Sequence, residues 1–154
     1  MYQKVVVPLD GSQLSECSLG HLEAIAMGCN IPEVVLLRVV EPFTDYELGP
    51  LVDVGGEAVI KRENERKDEA AGYISKLVEK LNKKGVSAKG EVILGRADEA
   101  ILDYGKKNKV DLIIMSTHGR SGISRFAYGS VADRVARHSV VPVLLVTPAG
   151  CRIT

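Results

Sequence analysis

The fold class that this chain predicts is α/β: an open five-stranded parallel sheet, order 3-2-1-4-5, with helices on both faces in a Rossmann-like arrangement. Three observations predict it. Short apolar, β-branched runs alternate with helix-period segments along the whole length. The runs KVVVPL, EVVLLRVV and VDLIIM are nearly continuously apolar, as strands covered on both faces are. The two turns that combine glycine with small polar residues, Asp10-Gly11-Ser12 and 116–122, follow the first and fourth strands. If the chain winds outward for three strands and then doubles back, those two strand ends lie side by side at the switch point, where open α/β sheets bind ligands.

Each element has its own warrant. Residues 3–9 are a β-branched run, and Pro8 marks where its ladder pairing stops. Leu14, Cys17, His21, Leu22 and Ile25 recur at helical spacing after the Asp10-Gly11-Ser12 turn, and 28–32 ends that helix. Residues 33–40 form the second strand, closed by Pro42. The stretch 43–56 carries Gly49, Pro50, Gly55 and Gly56 without a steady period and reads as a mobile surface loop, placed to become less so over a ligand. A long charged helix over 58–84 has one apolar stripe, Ala70, Tyr73, Ile74, Leu77 and Leu81, and a solvated face of lysines and glutamates. A strand over 86–94, a helix over 98–107 carrying Ile101 and Leu102 inward, a strand over 110–115, a helix over 130–138 and a strand over 142–147 complete the alternation. Right-handed helical crossovers are what parallel strands require.

Composition bounds the function. With 154 residues and 45% hydrophobic content, residues 1–154 suit a single domain with a real core. Twenty basic and twenty acidic residues cancel, so no bulk attraction to nucleic acid or to an anionic membrane is expected. There is no apolar run of membrane-spanning length and no signal-peptide pattern. Cys17, Cys29 and Cys151 are an odd set without metal-type spacing, for which a reduced, disulfide-free, cytoplasmic protein is the simplest account.

The chemistry concentrates in 115–131, MSTHGRSGISRFAYGSV. Small residues at a strand end and at a helix start let backbone N–H groups approach an anion, and the helix end adds favourable partial charge. Phosphate binding is one reading of this loop; glycines that only turn the chain are the other. Topology favours the first, because the Asp10 turn meets this loop at the same crevice.

On these residues the chain resembles the universal stress protein family, small α/β proteins many of which bind ATP. The resemblance covers nearly the whole length: VVVPLDGS, LLRVVEP, VDLIIMSTHGRSG, GSVADRVARHS and a final PVLLV. The family's nucleotide signature is G-x2-G-x9-G-[S/T]. Gly119 and, nine residues on, Gly129-Ser130 match its later parts, while its first glycine falls on Ser116, which brings a Cβ and a hydroxyl to where backbone is expected to run close to ribose. The resemblance implies an adenine nucleotide-binding fold with ATP as ligand and Mg²⁺ carried by the phosphates. By position it implies that Val39 meets adenine through backbone groups, that Asp10 accepts from ribose hydroxyls, that Gly119, Gly129, Ser130 and Val131 surround the phosphates, and that Pro8 and Leu9 form the floor. Ser12, Ser116, Arg120 and Gly122 complete the candidate nucleotide-binding set. Simpler roles stay open: Asp10 or Ser130 as helix caps, Val39 as core.

No enzyme motif is present. There is no G-x-x-x-x-G-K-[ST], G-x-S-x-G or H-E-x-x-H, and His21, His118 and His138 fall in separate elements. A committed phosphoryl-transfer enzyme is not expected, and trace ATP hydrolysis is all the residues leave room for; an adenylate-processing enzyme ranks lowest. The first functional expectation is an ATP-binding regulatory, stress-response protein whose occupancy modulates conformation or binding of a regulatory partner that the sequence does not name. The alternative is a nucleotide-independent dimerisation module. Pro142–Thr147 is an edge strand without charge, and both its unguarded edge and the family resemblance point to an antiparallel homodimer.

Overall fold

The computed structural model describes residues 1–44, 47, 49, 55–118 and 129–147. Five strands, β1 (Lys4–Leu9), β2 (Glu33–Val40), β3 (Ala88–Leu94), β4 (Leu112–Ser116) and β5 (Val143–Val146), form one sheet in the order β3-β2-β1-β4-β5, every pair parallel. Helices α1 (Gln13–Gly28), α2 (Gly56–Lys83), α3 (Ala97–Lys107) and α4 (Ser130–His138) lie in the connections between them.

Successive strand residues point to opposite faces, so the apolar runs fill two cores. Val5, Val7, Val34, Leu36 and Ile114 pack with Leu22 of α1 and with Ile74 and Leu81 of α2. Val6, Val35, Leu37 and Ile113 pack with Ile101 of α3 and with Ala132 and Val135 of α4. Helices α1 and α2 therefore cover one face, α3 and α4 the other. Each of these branched side chains removed from water contributes ~1.5–3 kcal/mol, which makes the central strands the anchor for everything at their ends. Gly90 of β3 lets α2 lie close to the sheet, since a Cβ there would collide with Ile74 Cγ2.

Element limits differ from expectation by a residue or two, and side chains explain two of the cases. β3 starts at Ala88 instead of 86 because the Asn82 amide closes the preceding turn, its Oδ1 accepting from Ala88 N at 2.8 Å and its Nδ2 donating to Ala88 O at 3.1 Å. β4 starts at Leu112 because Asp111 turns its carboxylate onto the N–H groups of Gln3 and Lys4, at 2.6 and 2.8 Å. The expectation of a disulfide-free chain is corrected: Cys17, on α1, is disulfide-bonded, whereas Cys29 is a free thiol. Sequence spacing does not show which cysteines approach another in space. The expected loop over 43–56 lies largely outside the described residues. No helix among the described residues is long and apolar enough to cross a membrane.

Candidate functional site

Above the carboxyl ends of β1, β2 and β4 lies a cavity of about 690 Å³, within the range of small-molecule sites. Every strand end at the switch point contributes to it. Pro8, Leu9, Asp10 and Gly11 come from β1 and its turn; Leu37, Arg38, Val39, Val40 and Glu41 from β2; Met115, Ser116, Thr117 and His118 from β4. Gly129, Ser130, Val131 and Ala132 close it from α4.

The first turn is built around Asp10. Its Oδ1 accepts from Ser12 N at 2.9 Å and from Ser12 Oγ at 2.6 Å, and Gly11 takes the positive φ of 86° that the turn needs. The cap of α1 is Ser12, whose Oγ accepts from Ser15 N at 3.1 Å. Asp10 thus braces the cap and still lies in the cavity wall. Ser12, expected among the binding residues, is spent on the helix and does not line the cavity; a capping hydroxyl pointed at N–H groups of its own helix is not available to a ligand.

The fourth strand ends in buried Ser116 and Thr117. Gly129 N donates to Thr117 O at 2.6 Å, bringing the returning chain directly onto the strand end. A Cβ on residue 129 would stand 3.0 Å from that carbonyl oxygen. Gly129 is the N-cap of α4 and Ser130 its first helical residue, which removes the reading of Ser130 as the cap; among the described residues no side chain caps this helix. The N–H groups of Ser130, Val131 and Ala132 have no intrahelical acceptor by the geometry of a helix start, and all three residues line the cavity. Such a start is a ready anion site.

Of the expected set, Pro8, Leu9, Asp10, Val39, Ser116, Gly129, Ser130 and Val131 meet at this one cavity. Gly119, Arg120 and Gly122 lie outside the described residues. Helix α2 adds a wall that the sequence reading missed: Arg66, Glu69, Ala70 and Tyr73. The signal was present, since these positions recur at helical spacing on one face. Tyr73 donates its hydroxyl to Glu16 Oε1 at 2.8 Å, and burial together with that bond raises the phenol well above its ordinary range, so it stays a neutral donor. The Arg66 guanidinium stacks 4.7 Å from the Phe43 ring centroid. Arg38 Nη1 donates to Val39 O at 3.2 Å. No group of three or more His, Cys, Asp or Glu among the described residues is arranged to hold a metal.

Two further contacts tie the rim together. Glu41 Oε1 accepts from Ala97 N at 3.0 Å, fastening the start of α3 to the end of β2. Next to it Asp98, 6% exposed, accepts from Arg96 through both oxygens and forms an ion pair with Arg134 Nε of α4 at 2.9 Å. The Arg96 bonds hold its carboxyl down at about 2, against burial, which opposes ionisation.

Residues 1–147 match the family model described as the universal stress protein family. Universal stress protein MJ0531 of Methanocaldococcus jannaschii is 33% identical over 95% of this chain and 82% of its own length. The solved structure of hypothetical protein MJ0577 superposes with a TM-score of 0.81 at 28% identity, covering 96% of each chain. The fold also recurs in a universal stress protein in complex with cAMP (TM-score 0.61, 24% identity, 95% of this chain and 97% of that one) and in an Arabidopsis thaliana family member with AMP bound (TM-score 0.62, 17% identity, 94% and 91%). With the family model spanning nearly the whole chain and the sheet order, switch-point cavity and α4 start all in place, this chain belongs to the universal stress protein family.

Proposed function

We propose that the chain binds an adenine nucleotide, ATP, in the switch-point cavity, and that occupancy modulates its conformation or its binding of a regulatory partner protein. The observation that carries this reading is the meeting of a glycine-opened helix start and a braced carboxylate in one cavity. The N–H groups of Ser130 and Val131, with glycine at 129 keeping the approach open, suit phosphate oxygens. The carboxylate of Asp10, held by Ser12, suits ribose hydroxyls. Leu9, Val39 and Met115 give an apolar bed for a base. Mg²⁺ would arrive with the triphosphate, through phosphate oxygens and water. The family members holding cAMP and AMP support the choice of an adenine nucleotide. A cytoplasmic location goes with an ATP ligand.

The reading is of binding rather than turnover. Glu41 and Asp10 are both engaged in holding backbone, and neither is left as an evident base for water. Acid extraction of the purified protein should release an adenine nucleotide. A preparation that releases none, and takes none up on titration, contradicts the assignment.

The chain is further proposed to form a homodimer through β5. The two sheet edges differ: β3 carries Lys89 and Glu91, the charges that discourage edge pairing, whereas β5 reads VLLV. A dimer that forms equally well without nucleotide would favour an interaction module as the second reading of the fold.

A further inference from the structure

Helix α4 presents the proposed phosphate contacts, and it is short. It has nine residues, of which Ala132 and Val135 are buried. A roll of α4 would carry the N–H groups of its first turn away from any ligand.

Besides the Gly129–Thr117 contact, an ion pair opposes such a roll. Arg134 lies four residues after Ser130, one turn along the same face, and its Nε meets Asp98 Oδ2 at 2.9 Å. Asp98 is a firm anchor: its side chain is 8% exposed, and Arg96 Nε and Nη2 hold its two oxygens at 3.1 and 2.8 Å. The start of α3 that carries it is bound in turn to β2 through Ala97 and Glu41. A chain of contacts thus runs from the end of β2, through Glu41, Ala97 and Asp98, to Arg134 and the first turn of α4.

We propose that Asp98 is a positioning residue for nucleotide phosphates: by holding Arg134 it fixes the orientation of α4, without touching the ligand. The inference rests on the nucleotide reading above and adds a residue to it. It has a diagnostic sign. Asp98→Asn removes a negative charge beside the cavity-lining Ala97, so simple charge attraction would leave ATP binding unchanged or tighten it. Loss of orientation weakens it.

Calorimetric titration with ATP and with adenosine, on wild type, Asp98→Asn and Arg134→Gln, tests this. Expected is about a tenfold loss of ATP affinity in each variant, with adenosine affinity unchanged, because the base and ribose contacts do not depend on α4. The double variant should lose no more than either single one, since both break the same tie. Arg134 is about half exposed, so its variant keeps the test open should Asp98→Asn fail to fold. ATP affinity that is unchanged or tighter in Asp98→Asn overturns the proposal, as does an equal loss for ATP and adenosine. A wild-type chain that binds neither ligand overturns the nucleotide site itself, a separate outcome.

Discussion

Gly129 N lies 2.6 Å from Thr117 O, so the helix that faces the cavity is hung from the end of the strand beside it. The contact favours glycine at 129 before any ligand is considered. A Cβ there would press on the Thr117 carbonyl at 3.0 Å, and that carbonyl sits on buried backbone whose N–H already donates to Val146 O. Gly129→Ala should therefore lower stability by about 1–2 kcal/mol with no nucleotide present. Urea denaturation of the nucleotide-stripped variant checks it, and an unchanged midpoint would show that the approach is not tight.

A second glycine gives a control far from the chemistry. Gly90→Ala drives a methyl into Ile74, which is β-branched and 2% exposed and has little room to turn away. Overpacking of this kind costs about 1–3 kcal/mol. Denaturation should show that loss while ATP affinity, measured in the folded range, stays at the wild-type value. A change in affinity would mean that α2 couples this contact to the cavity.

Asp98 predicts a pH signature. Its carboxyl is held at about 2 in the fold against an ordinary 3.8, so its contribution is present above about pH 4 and fades as pH falls toward 2. The shift corresponds to about 2 kcal/mol at neutral pH. The stability gap between wild type and Asp98→Asn should narrow across that window in denaturation curves taken from pH 7 downward. A gap that stays constant to pH 2 would mean that the Arg96 and Arg134 contacts do not favour the ionised form.

Assembly can be tested at the bare edge. Leu145 is half-buried on β5, and Leu145→Lys places a charge where two such edges would meet. Sedimentation at micromolar concentration should show a wild-type dimer and a variant shifted to monomer, with circular dichroism confirming that the monomer stays folded. A monomeric wild type, or a variant that remains fully dimeric, removes the β5 interface.

The strands were legible because a parallel sheet buried on both faces leaves continuous β-branched runs, and β2 and α4 end where those runs and their turns indicate. The switch-point crevice was legible too, since its two turns carry Asp10 and Gly129. Other parts could not be read from local pattern. Ser12 looked like a ligand residue because turn hydroxyls serve caps and ligands alike, and only geometry shows it bound to Ser15 N. Tyr73 read as part of an apolar core stripe and Arg66 and Glu69 as solvated face, so their shared helical face was not read as a cavity wall. Asp98 and Arg134 are far apart in sequence, and nothing in the spacing of either announces that the other completes it.

The central claim is that one cavity takes ATP, and the most direct measurement is calorimetric titration of the nucleotide-stripped wild-type chain with Mg-ATP, beside Asp10→Ala. Saturable binding of one ATP per chain is expected, weakened at least about tenfold when the Asp10 carboxylate is removed, a loss on the scale of one charge-assisted hydrogen bond. A folded wild-type chain that shows no saturable binding up to millimolar ATP, or that binds equally well with and without Asp10, would contradict it.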